Sequence, residues 1–133
     1  MRMFRIQAAV VVTGLLAVAA QAGAQSRWVS PKCDIKPGHH LVNSGLQNLQ
    51  SATNTRFDDQ RQKDLRDAGR LLTQAVTTGN QEKNPAAWYY LGRYHILMQD
   101  MPGADSAFTR AEALKPECQE DIANWRRAMW VPM

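Results

Sequence analysis

The residues able to ligate a metal, carry a redox bond or move a proton are few in this chain of 133 residues. His39-His40 is the first candidate, but adjacent residues do not share a helical face, and no third ligand stands at a spacing suited to zinc. His95 falls among apolar and aromatic residues at helical spacing, which predicts a core position with a ring N–H bonded nearby. Asp58-Asp59 and Glu120-Asp121 are paired carboxylates, yet both fall where helices begin and the helix dipole favours negative charge. Two of the six methionines stand in the first three residues. The others fall at helix faces or ends, a pattern of packing rather than copper ligation. No C-x-x-C-H, G-x-S-x-G, P-loop or glycine-rich dinucleotide turn occurs. The expectation is a protein with no catalytic residues, no metal and no cofactor.

The two cysteines, Cys33 and Cys118, take their meaning from the first 24 residues. Arg2 and Arg5 give a positive start, Ile6 to Ala20 is small or apolar, and Ala22-Gly23-Ala24 is a pattern that signal peptidase cleaves. This predicts a signal peptide over 1–24, with export to a periplasm or beyond and only transient contact with the membrane. An uncleaved anchor is the alternative, though it would need about twenty apolar residues. In an oxidising compartment Cys33 and Cys118 can pair, closing a loop worth on the order of 4 kcal/mol. Two separate thiols are the alternative. Loss of Arg2 and Arg5 takes the basic residues from 16 to 14 against 12 acidic, so the formal charge falls from +4 to +2. The remaining charges alternate in sign, which gives no support to nucleic-acid binding.

Helical periodicity organises the rest. Residues 25–38, with Pro31, Pro37 and Gly38, read as an irregular extension. A helical domain follows over 39–133. Its first hairpin, 39–80, has Leu41, Gly45, Leu49 and Ala52 on one face of the first helix. The second helix, from about Asp58 to Thr78, carries Leu65, Ala68, Leu71, Leu72, Ala75 and Val76. Thr55 to Asp58 is its start signal and Gly79-Asn80 its stop. Asp59, Arg61, Lys63, Asp64, Arg66, Asp67 and Arg70 read as a solvated outer face. A second hairpin covers 84–116. Asn84-Pro85 opens it, and Trp88, Leu91, His95 and Met98 form its stripe, widened by Ala87 and Tyr94. Asp100 caps a helix that buries Ala104, Ala107, Phe108, Ala111 and Leu114, and Pro116 stops it. A last helix over 117–130 carries Ile122, Trp125 and Met129 on one face.

Trp88-x2-Leu91-Gly92, then Ala104-x3-Phe108-x2-Ala111, then Pro116, resembles a tetratricopeptide repeat. His95 stands where that family has tyrosine. Ala68-x3-Leu72-x2-Ala75 echoes the second part of the motif, and Gly45 would match Gly92, so the first hairpin is similar to a longer, degenerate repeat. The resemblance implies an all-α fold of antiparallel hairpins stacked as a short solenoid, with the last helix as a cap. It also implies protein–protein contact rather than catalysis. In the family the first helix of each hairpin lines a groove for a peptide or partner helix. Here that assigns Ala86, Tyr89, Arg93 and Ile96, unless Tyr89 and Ile96 merely pack on the preceding helix. Self-association through the last helix is the alternative, since repeat units need neighbours to cover their faces. A small metal or cofactor carrier using His39, His40 or His95 is the third.

Overall fold

The computed structural model describes residues 32–129, so the expected signal peptide and the last four residues lie outside the described part. Three of the helices start where a polar side chain takes up a free N–H. The first helix, α1, spans His40–Asn54; His39 precedes it in an extended conformation, and its Nδ1 accepts from the Leu41 N–H at 3.2 Å. The next, α2, spans Asp58–Val76 with Asp58 and Asp59 in its first turn. The third, α3, spans Pro85–Leu97; Asn84 Oδ1 accepts from the Ala86 N–H at 3.0 Å, and Pro85 stands where a missing N–H costs nothing. The fourth, α4, spans Met101–Leu114, with Asp100 Oδ1 accepting from the Gly103 N–H at 3.0 Å. A 3-10 turn, Pro116–Cys118, leads into α5, Gln119–Met129. The last helix therefore begins after a separate turn and not at residue 117. No strand occurs among the described residues.

These helices form stacked antiparallel hairpins, α1 with α2 and α3 with α4, and α5 follows. Both hairpins close on a glycine. A Cβ on Gly92 would lie 2.7 Å from the Phe108 ring, and one on Gly45 would lie 2.6 Å from Leu72 Cγ. Leu72 thus does in the first hairpin what Phe108 does in the second, as their matching motif positions predict. Ala68, Leu72 and Ala75 are fully buried, and so are Ala104, Phe108 and Ala111. Each of the two large side chains is worth roughly 1.5–3 kcal/mol of burial.

The middle helix departs from its expected stripe. Ala86, Ala87, Tyr89, Tyr90, Leu91 and Gly92 are all buried, while Trp88 and His95 are half-buried and Met98 is 44% exposed. The reason is position: α3 has α2 on one side, α4 on another and Trp125 of α5 against it. A helix apolar on nearly every side belongs in the middle of a stack. Trp88 is held at the margin, where its Nε1 donates to the Glu82 carbonyl at 2.8 Å and Arg110 stacks on its ring at 4.7 Å. His95 turns towards the loop instead, with Nδ1 3.3 Å from Asp100 Oδ2.

Two residues of the supposedly solvated face of α2 also point inward. Asp64 is only 5% exposed and accepts from Ser51 Oγ at 2.7 Å and from Gln60 Nε2 at 2.9 Å. Those two donors satisfy a carboxylate that burial would otherwise penalise. Arg61 is half-buried and reaches the carbonyls of Ala52 and Thr55, which α1 leaves unpaired at its end.

Antiparallel packing gives the stack two different ends. At one end lie the starts of α1, α3 and α5. Residues 33–38 cross it as a strap: Cys33 is disulfide-bonded to Cys118, with Cα atoms 4.6 Å apart at a sequence separation of 85. Both cysteines are buried, and Ile35 packs against the core. Lys115 Nζ donates to the Asp34 carbonyl, and Asn84 Nδ2 to the Pro37 carbonyl at 2.8 Å. Among the described residues no such strap crosses the other end. Phe57 there is 73% exposed and Leu97 42%.

Candidate partner-binding face

Tyr89, Arg93 and Ile96 recur on one side of α3 at spacings of four and three, so the helix itself aligns them. Ala86 heads the same row but has no exposed surface. Tyr89 is 7% exposed. Its ring meets Tyr90 edge-on at 5.6 Å and Phe108 at 6.0 Å, and its hydroxyl accepts from Trp125 Nε1 at 2.7 Å. Arg93 and Ile96 are half-buried and keep accessible surface. Of the four residues expected in a groove, then, two are buried and two keep accessible surface.

Trp125 is the residue that the sequence reading did not assign to this face. It reaches α3 because Ile122, one turn earlier on α5, is fully buried and fixes the helix against the core. The Arg93 guanidinium lies 5.1 Å from the centre of the Trp125 ring and 5.9 Å from that of Tyr90. The signal in the sequence was the Ile122, Trp125, Met129 stripe, read there as a cap or a self-association surface.

The electrostatics follow from this packing. Burial pushes the Tyr89 hydroxyl above its ordinary value of 10.0, against the opposing pull of the Trp125 hydrogen bond and the Arg93 charge. Tyr90 is also raised, mainly by burial, with Arg93 again opposing. Both rings therefore stay neutral at physiological pH and give the guanidinium π-faces rather than a counter-ion. Arg93 forms no ion pair or hydrogen bond with another described residue. Arg126, the residue after Trp125 on α5, is its opposite: it bonds Asp105 Oδ1, Glu112 Oε2 and Thr109 Oγ1 at 2.9–3.0 Å.

Two clefts lie at the unstrapped end. One of about 190 Å³ is lined by Ala52, Thr53, Arg61, Leu65 and Leu97. The other, about 340 Å³, sits between the start of α4 and the finish of α5, lined by Met101, Pro102, Asp105, Arg126 and Met129. The histidines do not gather at either. His39 is occupied as a helix cap, His40 stacks beside it, and His95 lies beside Asp100. No group of three or more His, Cys, Asp or Glu that could hold a metal occurs among the described residues. Comparison with known proteins adds no relative: no family model matches the chain, and no curated protein or solved structure shows significant similarity to it.

Proposed function

We propose that this chain is an exported, tetratricopeptide-like adaptor that binds a peptide or helix of another protein across α3 and α5, without catalysis. The observation that carries the reading is the accessible pair of Arg93 and Trp125, stacked at 5.1 Å and bordered by Ile96 on the same side of α3. Arginine and tryptophan are the residue types over-represented where binding energy concentrates. Tyr89 and Phe108 beneath them form a rigid support, so little ordering remains to be done on binding.

The glycine closures of both hairpins and the repeated Ala-x3-large-x2-Ala spacing support the repeat resemblance on which the groove rests. A disulfide between Cys33 and Cys118 is in keeping with export to an oxidising compartment. The test is affinity capture from an envelope extract of the source organism, comparing wild type with Arg93→Ala. A partner retained by wild type and lost with the variant, at unchanged helicity, supports the reading. An identical set of captured proteins contradicts it.

Self-association is a second reading, favoured by the 340 Å³ cleft that Met101 and Met129 line beside the last helix. Sedimentation at micromolar concentration separates the two. A dimer dispersed by Met129→Glu supports self-association, and a monomer removes it.

A further inference from the structure

The arginines of the described stack differ in what holds them, and Arg93 is half-buried over two rings where Arg110, stacked on Trp88, is exposed. Arg61, Arg70 and Arg126 lie within ion-pair distance of carboxylates on their own or a neighbouring helix. Arg93 is half-buried, with its guanidinium carbon over both the Tyr90 and Trp125 rings, and has no carboxylate partner among the described residues. A guanidinium has five N–H donors in a planar fork that matches a carboxylate, and stacking on rings fixes that plane while leaving its edge free to donate.

The surroundings narrow the anion. Phosphate-rich partners such as nucleic acids and lipid surfaces are held by several cations together. Around Arg93 stand Tyr89, Tyr90, Trp125 and Ile96; the Asp121 carboxylate also acts on the Tyr89 hydroxyl but is buried, so the accessible surface offers one positive charge bordered by aromatic and aliphatic side chains. That combination suits one carboxylate flanked by apolar side chains. We infer that the occupant of this face is an acidic peptide segment, whose aspartate or glutamate carboxylate docks edge-on against Arg93 while an adjacent apolar side chain lies against Trp125 and Ile96. The inference rests on the adaptor reading and adds the chemistry of the ligand.

Selection of a random peptide display library on the purified protein, disulfide intact, tests both layers separately. The inference expects enriched peptides that share an aspartate or glutamate next to an apolar residue. A selected peptide should bind Arg93→Gln about tenfold or more weakly, as loss of a charge-assisted bond requires. Arg93→Glu should select a different set, depleted in acidic residues. Matching helicity and melting temperature of both variants would show that they fold. Enriched peptides without an acidic position, or an acidic set retained by Arg93→Glu, would overturn the inference and leave the groove standing. Failure to enrich any peptide would overturn the groove as well. Binding of wild type, and not Arg93→Glu, to phosphatidylglycerol vesicles would overturn it in favour of a lipid headgroup.

Discussion

The two ends of the helix stack are built on different principles. At one end the chain crosses the starts of three helices, and covalent, cap and core contacts coincide within residues 33–39: Cys33–Cys118, Ile35 on the core, Pro37 bonded to Asn84, and His39 capping α1. At the other end the turns at 55–57 and 98–100 are short and held only by local bonds from Arg61, Thr55, His95 and Asp100, apolar Phe57, Leu97 and Met98 face solvent, and both clefts open. A stack of this size buries little surface per residue, so it gains most from constraints that act on the unfolded chain. The strap supplies such a constraint where it does not obstruct the row from Tyr89 to Ile96. Stability and candidate function are thereby assigned to different places.

Mutations at the two ends should behave very differently. Cys118→Ser with Cys33→Ser removes the loop constraint and should cost on the order of 4 kcal/mol, a fall in Tm of about 20 °C, checked by thermal melting. A double variant as stable as wild type would break the contrast. Asn84→Ala should cost about 2 kcal/mol by denaturant unfolding, because one side chain both caps α3 and holds the strap at Pro37. The loops offer a test of opposite sign. Gln99 ends α3 at φ 59°, whereas the strapped end places Asn80, a residue that tolerates this region, at φ 56°. Gln99→Gly should raise stability by up to about 1 kcal/mol, whereas Asn80→Gly should gain less. The smallest effect belongs to Phe57→Ser, which should change stability by no more than about 0.5 kcal/mol since the ring is 73% exposed.

Much of this was legible in the residues. Asn84-Pro85 and Asp100 announced α3 and α4 because caps are local devices, and the structure has both side chains bonded as expected. The Gly45–Leu72 match to Gly92–Phe108 could be read because one spacing rule generates both hairpins. Cys33 and Cys118 could be paired from compartment chemistry. What escaped depends on neighbours distant in sequence. Periodicity reports which side of α3 is apolar, but not that Trp125 would arrive against Tyr89, which is buried while Arg93 and Ile96 keep accessible surface. Likewise Asp64 belongs to a charged run by composition, and only the approach of Ser51 from α1 makes its burial affordable. At the start of α2, Thr55 bonds the Phe57 N–H within its own turn, leaving the helix to begin at Asp58 without a side-chain cap.

The central claim is that a partner meets the face of α3 and α5 rather than the exposed apolar end. Site-specific photo-crosslinking in the native envelope addresses it directly, with a benzophenone amino acid placed at Ile96 in one sample and at Phe57 in another. The account predicts a crosslinked partner from position 96, abolished by Arg93→Glu, and none from position 57. Crosslinks from position 57 alone, or from position 96 regardless of Arg93, would contradict it.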